Sequence, residues 1–207
     1  MTTPAFRIRT PRLSLKIWTP ADAPLLHEAL SAGVEHLKPW LPFADFEPKP
    51  LAAREEMLTA WYQKFLDGQD FFYGIFNPQE TRCLGSSGMH TRLGPSMREI
   101  GYWLRADTVG KGLVTEAAAA YTRTAFEIDQ AEKVEIHVAV GNDRSAAVAY
   151  RLGYTLEGIL RRRVDLCGGQ KGDARIYGML ADEFSTSPAA KISAEMQAFD
   201  QHGNRLI

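Results

Sequence analysis

Gly110-Lys111-Gly112-Leu113-Val114-Thr115-Glu116-Ala117-Ala118-Ala119-Ala120-Tyr121 is the stretch on which the fold turns. Its alanines favour helix more than any other residue does, and they predict a helix from Leu113 to about Ile128. A helix start leaves N–H groups unpaired and carries the positive end of the backbone dipole. Two glycines ahead of it let a ligand approach the bare main chain, which suits an anion, phosphate above all. Lys111 would add a charge. A nucleotide-triphosphate loop is excluded, because Lys111 is followed by Gly112 and Arg105 stands at the earlier glycine position. A dinucleotide fingerprint is disfavoured, because Thr115 replaces its third glycine.

On either side of this unit, hydrophobic alternation predicts strands. Ile100, Tyr102 and Leu104 alternate within residues 98–104, and Val134, Ile136, Val138 and Val140 alternate after the helix. Asn142-Asp143 caps a short helix that stops at Gly153. Strands follow around 155–163 and 174–180, and others precede at 12–18, 71–76 and 83–90. Thr19-Pro20-Ala21-Asp22 opens a helix through about Ala32, and Met57, Leu58, Trp61 and Phe65 mark another over 51–66. Between them, His36-Leu37-Lys38-Pro39-Trp40-Leu41-Pro42-Phe43 is too proline-broken for regular helix. It is either a loop tucked on the core or an apolar lip over a site. After Phe184, Ser185-Thr186-Ser187-Pro188 reads as a linker, residues 189–199 as a weakly amphipathic helix candidate, and 201–207 as frayed or partner-dependent. The chain is therefore read as one α+β domain, 7–184, with a C-terminal tail, 185–207, that is a candidate dimer contact.

Composition bounds the function. A length of 207 residues and 45% apolar content suit a single well-filled core. A net charge of −1 argues against general nucleic-acid binding. No apolar run approaches the roughly 20 residues of a membrane span, and the first residues lack a secretory pattern, so the cytoplasm is the expected compartment. Cys83 and Cys167 have no partners at ligand spacing, which leaves no expected metal site or disulfide framework.

Four motifs occur in order: Glu99-Ile100-Gly101-Tyr102-Trp103-Leu104, Gly110-Lys111-Gly112-Leu113-Val114-Thr115-Glu116-Ala117, Asn142-Asp143-Arg144-Ser145, and Leu152-Gly153-Tyr154-Thr155-Leu156-Glu157-Gly158. Together they resemble the GCN5-related N-acetyltransferases (GNAT), and within them the ribosomal-protein acetyltransferase group typified by RimJ and RimL. Arg9-Thr10-Pro11-Arg12-Leu13 and His36-Leu37-Lys38-Pro39-Trp40 are similar to that group too. The resemblance implies a mixed, mostly antiparallel sheet, flanked by helices and splayed between the strands at 98–104 and 133–140. It implies acetyl-CoA as co-substrate, with backbone groups of Trp103, Leu104 and Arg105 on the pantetheine. The segment Val109, Gly110, Lys111, Gly112, Leu113, Val114 and Thr115 would hold the diphosphate, with Asn142 and Ser145 contacting the coenzyme. Asp107 stands where the family often has Gln or Arg; an acid beside a diphosphate is unfavourable, so its carboxylate is expected to point away.

Acetyl transfer needs a neutral amine, donors for the carbonyl oxygen and a proton for the departing sulfur. Many relatives supply that proton from a Tyr seven residues after the motif Asn, a position held here by Ala149, with Tyr150 one residue on and roughly 100° around the helix. The resemblance assigns the role to Ser145; the blander reading is a second helix-capping hydroxyl. For the base, the resemblance points to a carboxylate shortly after Glu157-Gly158, where Val164 holds the matching place and Asp165 fits only with a one-residue shift; Glu99, on the strand lining the thioester, is the other candidate. Histidine as a residue type suits proton transfer, which brings in His90 and His137, but lone strand histidines are more often structural. A protein α-amine, with a pKa about 2.5 units below that of Lys, needs less help and is the preferred acceptor. A small amine such as an antibiotic or an aminoacyl metabolite, and a silent acyl-CoA-binding module, are the alternatives. Arg161-Arg162-Arg163 reads as a solvated strand edge.

Overall fold

The computed structural model describes residues 4–207. Nine strands form one sheet: β1 (Arg7–Arg9), β2 (Ser14–Ile17), β3 (Phe71–Phe76), β4 (Cys83–His90), β5 (Met97–Leu104), β6 (Lys133–Ala139), β7 (Thr155–Asp165), β8 (Lys171–Leu180) and β9 (Gln197–Phe199), in the order β7-β8-β6-β5-β4-β3-β2-β1-β9. Every neighbouring pair is antiparallel except β5–β6. A parallel pair needs a crossover, and α3 (Leu113–Glu127) supplies it. The remaining helices are α1 (Ala23–Ser31), α2 (Leu51–Leu66), α4 (Asp143–Leu152), α5 (Ala181–Phe184) and α6 (Pro188–Ile192).

Alternation along the strands separates two cores. Val134, Ile136, Val138, Ile100 and Leu104 face α3 and α4, and Ala117 to Ala120 are fully buried there, small enough for the helix to lie close on the sheet. Trp18, Phe76 and Cys83 face the other way and meet Leu26, Ala29 and Leu30 of α1 and Leu58 of α2. The helix expected from Thr19 begins as a 3-10 turn, Pro20–Asp22. There Asp22 Oδ2 accepts from Thr19 N at 3.0 Å and Thr19 Oγ1 at 2.7 Å.

The chain beyond Phe184 departs from expectation. Helix is confined to Pro188–Ile192, started by Ala190 N donating to Ser187 Oγ at 3.1 Å. Residues 197–199 are strand instead, paired with the free edge of β1 through Arg7↔Phe199 and Arg9↔Gln197. Nor is the terminus frayed, since Leu206 N donates to Ala198 O at 2.7 Å and Ala198 N to Ile207 O at 3.2 Å. An unpaired strand edge outcompetes the weak helical preference of this stretch. The first strand, Arg7–Arg9, is likewise too short for alternation to announce.

Gly153 links this segment to the body. It ends α4 at φ 86°, and a Cβ placed there would lie 2.6 Å from Pro188 Cδ. Gly153→Ala should therefore cost about 1–3 kcal/mol from its left-handed backbone, with the collision added. Gly168→Ala, at φ 70° with open space around it, should show the backbone part only. Thermal melts of the two variants compare them, and equal losses would mean that Pro188 yields freely.

Candidate active site

The sheet forks in the middle. β5 and β6 pair over only three rungs, Met97↔Lys133, Arg98↔Val134 and Glu99↔Glu135, and then part. Each strand keeps its outer partner: β5 follows β4 from Glu99 to Leu104, and β6 follows β8 along its whole length. Main-chain groups alternate sides along a strand. Arg105 N donates to Leu84 O at 2.9 Å and Gly101 O accepts from Ser87 Oγ at 2.8 Å, both towards β4. The peptide groups of Ile100, Tyr102 and Leu104 consequently face the fork. Leu104 O accepts from His36 Nε2 at 2.8 Å. Of the three residues expected to offer free main-chain groups, Leu104 does so, whereas Trp103 and Arg105 turn theirs to β4 and Ile100 and Tyr102 share the open side. A cavity of about 1420 Å³ fills the fork.

At one end of this cavity lies the glycine loop. Gly110 and Gly112 both take the left-handed backbone, at φ 78° and 74°; a Cβ on Gly110 would meet nothing within 4 Å, and Gly112 is the N-cap of α3. Val109, Gly110, Gly112, Val114 and Thr115 line the cavity. Three of the residues expected around it do not. Leu113 packs on the core. Lys111 turns its Nζ to Asp107 O at 3.0 Å. Arg105 is buried in ion pairs with Glu28 and Asp107. Asp107 also pairs with Arg82 and stays out of the cavity lining. In its place the loop has Arg12, whose Nη1 donates to Lys111 O at 2.9 Å. Glu116, buried in the first turn of α3, accepts from Thr10 Oγ1 at 2.6 Å, Arg12 N at 3.0 Å and Arg12 Nε at 2.5 Å. Arg12 neutralises an acid that would otherwise sit exposed to an incoming anion.

The start of α4 forms the opposite wall. Asn142 caps it by accepting from Ser145 N at 3.2 Å. The Ser145 hydroxyl lies 3.1 Å from Tyr102 Oη. Trp103, Leu104, Asn142, Ser145 and Tyr102 all line the cavity.

The other face of the fork is charged. Glu99 and Glu135 are direct cross-strand partners, an arrangement that repels. Basic groups gather on them: Arg92 Nε donates to Glu99 at 2.7 Å, His137 Nε2 lies 2.6 Å from Glu135 and Nδ1 3.5 Å from Glu99, and Lys133 Nζ is 2.9 Å from Glu135. Burial opposes ionisation of both carboxyls most strongly. The Arg92 hydrogen bond and the charges of His137 and Arg92 still hold Glu99 below its usual range, and hydrogen bonds from His137 and Lys133 do so for Glu135. Arg92 and His137 line the cavity, whereas Glu99 lies behind them and does not. Asp165 does, paired with Lys171 and exposed, as does its neighbour Val164; β7 carries two register irregularities before them. His90 is tied to Asp70 at 3.0 Å and stands outside the lining.

The proline-broken segment is a lip. His36, Leu37, Trp40, Leu41 and Pro42 line the cavity. Leu41 O accepts from Cys167 Sγ at 3.2 Å and Asp45 Oδ2 from Gly168 N at 2.6 Å, so the segment bridges to the β7–β8 turn.

The family model described as the acetyltransferase (GNAT) domain matches residues 12–155. The chain belongs to the GNAT acetyltransferases. It is similar to YdaF of Bacillus subtilis (strain 168), a provisionally named ribosomal N-acetyltransferase, at 28% identity over 83% of this chain and 93% of that protein. It is equally similar, at 28% over 75% of this chain and 81% of the other, to the ribosomal protein uS5-alanine N-acetyltransferase of Escherichia coli (strain K12). The ribosomal L7/L12 α-N-protein acetyltransferase RimL, solved with coenzyme A, shares its fold with a TM-score of 0.74 over 88% of this chain and 99% of that one, at 20% identity. The protein is accordingly an N-acetyltransferase, and this GNAT fold carries its fork where the family motifs lie.

Sequence reading alone singles out none of the cavity residues Arg12, Tyr102 and Arg92, and it sets His137 aside as structural. For Tyr102 a signal existed, since it sits in the Glu99–Leu104 motif on the alternation opposite Trp103. The charged cluster yields a pH test. A carboxyl depressed in the folded state contributes stability above its unfolded pKa, about 4.3 for Glu, and loses it as pH falls through the folded value. The difference in melting temperature between the wild type and Glu99→Gln should therefore be full near neutral pH and shrink as pH falls below about 4. A difference constant with pH would show that Glu99 ionisation carries none of it.

Proposed function

We propose that this GNAT enzyme moves the acetyl group of acetyl-CoA directly to an amine, and that the acceptor is the α-amine of a protein or peptide N-terminus. The observation that carries the reading is the fork: bare strand peptides along one cavity that ends at a left-handed glycine loop and helix start. These groups fit a molecule with an amide-bearing arm and a diphosphate. The loop amides would bind the diphosphate, Gly112 leaving the room a side chain would fill. Ile100 and Tyr102 would hold the arm as a neighbouring strand would. Acetyl-CoA supplies the activated acyl group. Ser145 would donate to the departing sulfur from the first turn of α4, where the helix dipole also favours developing negative charge.

On the acceptor side, Asp165 and the Glu99–His137–Glu135 group surround the position from which an amine would approach. Asp165, exposed and in the cavity, is the base we assign, with Glu99 acting through Arg92 and His137. An α-amine suits an exposed carboxylate as base, because roughly a tenth of such an amine is already neutral at pH 7. Relatives named for ribosomal-protein substrates support a protein acceptor. Among the described residues no helix is long and apolar enough to cross a membrane.

Release of CoA from acetyl-CoA, followed against N-terminal peptides, lysine peptides and aminoglycosides, tests the reading. N-terminal peptides should turn over fastest; preference for an aminoglycoside would move the enzyme to the small-molecule class. Binding without turnover on any acceptor would make it a silent module. Ser145→Ala should lower kcat at least tenfold with the Kd for acetyl-CoA changed by less. Gly112→Val, which strains the left-handed backbone and fills the cradle, should instead raise that Kd tenfold or more by calorimetry. Unaltered affinity would move the diphosphate elsewhere.

A further inference from the structure

We propose that Tyr102 is a positioning residue for catalysis: its phenol donates to Ser145 and turns the serine's own hydrogen into the cleft, towards the sulfur that leaves. The inference rests on the reading of Ser145 given above and adds the group that makes its hydroxyl directional.

A serine hydroxyl rotates freely and has one hydrogen and two lone pairs to share. The Ser145 N–H donates to Asn142, but fixing the hydroxyl needs a contact on its own oxygen. Tyr102 supplies one. Its Oη is 3.1 Å from Ser145 Oγ and 3.4 Å from Ser145 O. The phenol has a single hydrogen, Ser145 Oγ is the nearer of the two oxygens, and the more acidic hydroxyl of the pair is the better donor, so that hydrogen goes to Oγ. Ser145 Oγ is then the acceptor, and its hydrogen is left for another partner. Both residues line the cavity, so that partner lies in the cleft. Burial pushes the Tyr102 phenol up to about 12, so it keeps its proton across the working pH range and cannot reverse roles as an anion. The two come from β5 and the first turn of α4 and face one another across the fork, so the contact also holds the coenzyme-side wall in register.

The tyrosine that many relatives carry seven residues after the motif Asn is absent, Ala149 standing there. Tyr150, one residue on, is 80% exposed and outside the cavity lining. Tyr102 brings a phenol to the cavity from β5 rather than from α4, with a different task. It exchanges no proton: the amine's nitrogen bonds to the acyl carbon, the carbon–sulfur bond breaks, and the proton released by the amine balances the thiolate. Tyr102 only orients the hydroxyl that meets that sulfur.

The test is a double-mutant cycle. Tyr102→Phe should lower kcat about three- to tenfold, leave the Kd for acetyl-CoA within twofold and keep the near-ultraviolet dichroism of the wild type. Ser145→Ala should fall further, and adding Tyr102→Phe to it should change kcat by less than twofold, because there is no hydroxyl left to orient. A purely structural Tyr102 would lower both backgrounds alike. Equal losses in the two backgrounds, or full turnover in Tyr102→Phe, would overturn the inference while leaving Ser145 in place. Full turnover in Ser145→Ala would instead remove the reading on which it rests.

Discussion

Three rungs between β5 and β6 are the constraint on which the molecule depends. They join a six-stranded half, β5 through β9 by way of β4, β3, β2 and β1, to a three-stranded half made of β6, β8 and β7. Beyond Glu99 and Glu135 each half follows its own outer partner, and hydrogen bonds that a continuous sheet would make are left open. Buried main-chain groups without partners are costly, so an open fork persists only where something else meets them. His36 meets one, at Leu104 O; the others are what an amide-bearing substrate would find. The site is in this sense a gap in the ladder, and its glycine loop and capped helix merely frame it.

The fork also explains why charge accumulates where it does. At the last rung Glu99 and Glu135 are forced onto the same face by register, since neither strand can slip by one residue without turning its apolar set away from the core. Their repulsion is offset by Arg92, His137 and Lys133. Those basic groups come from a loop and from β6 itself, so the junction is held by ion pairs on one face and by Val134 and Ile136 on the other. A similar compensation operates at the loop, where Arg12 and Thr10 hold Glu116 within the first turn of α3.

What the sequence disclosed follows from locality. Gly110, Gly112 and Gly153 act through their own backbone and Asn142 through a cap three residues on, and a few neighbouring residues suffice to read them. Alanine density announces α3, and β6 and α2 fall on their alternation and periodicity. The missed features need contacts across the chain. Glu116 is 104 positions from Arg12, and Tyr102 is 43 from Ser145; no window of sequence places them together. β9 is three residues long, and its strand character comes from the free edge of β1 rather than from Gln197, Ala198 and Phe199 themselves. The same locality left Trp103 and Arg105 undistinguished from Leu104. Alternation was visible there, but which alternate set faces the gap depends on the partner that β5 takes, and β4 takes the odd-numbered ones.

The division of the fork into two faces has a chemical consequence. On the α3 and α4 face stand the groups suited to one large, constant ligand: loop amides, strand peptides, Ser145 and Tyr102. On the other stand Asp165, Arg92, His137 and the lip, drawn from loops and an exposed strand end. Under the proposed reaction, the first set is fixed by the coenzyme and the second by the acceptor. The lip belongs with the second. It is anchored at His36 to the rim of β5 and at Leu41 and Asp45 to the β7–β8 turn, while Trp40 reaches Gly141, whose Cβ would lie 3.8 Å from its ring. A roof pinned at three separate elements can change shape with little disturbance to the sheet beneath it, because none of its anchors belongs to the three rungs. Acceptor choice is then adjustable without rebuilding the fork, which is how one scaffold accommodates protein termini in one member of a family and small amines in another.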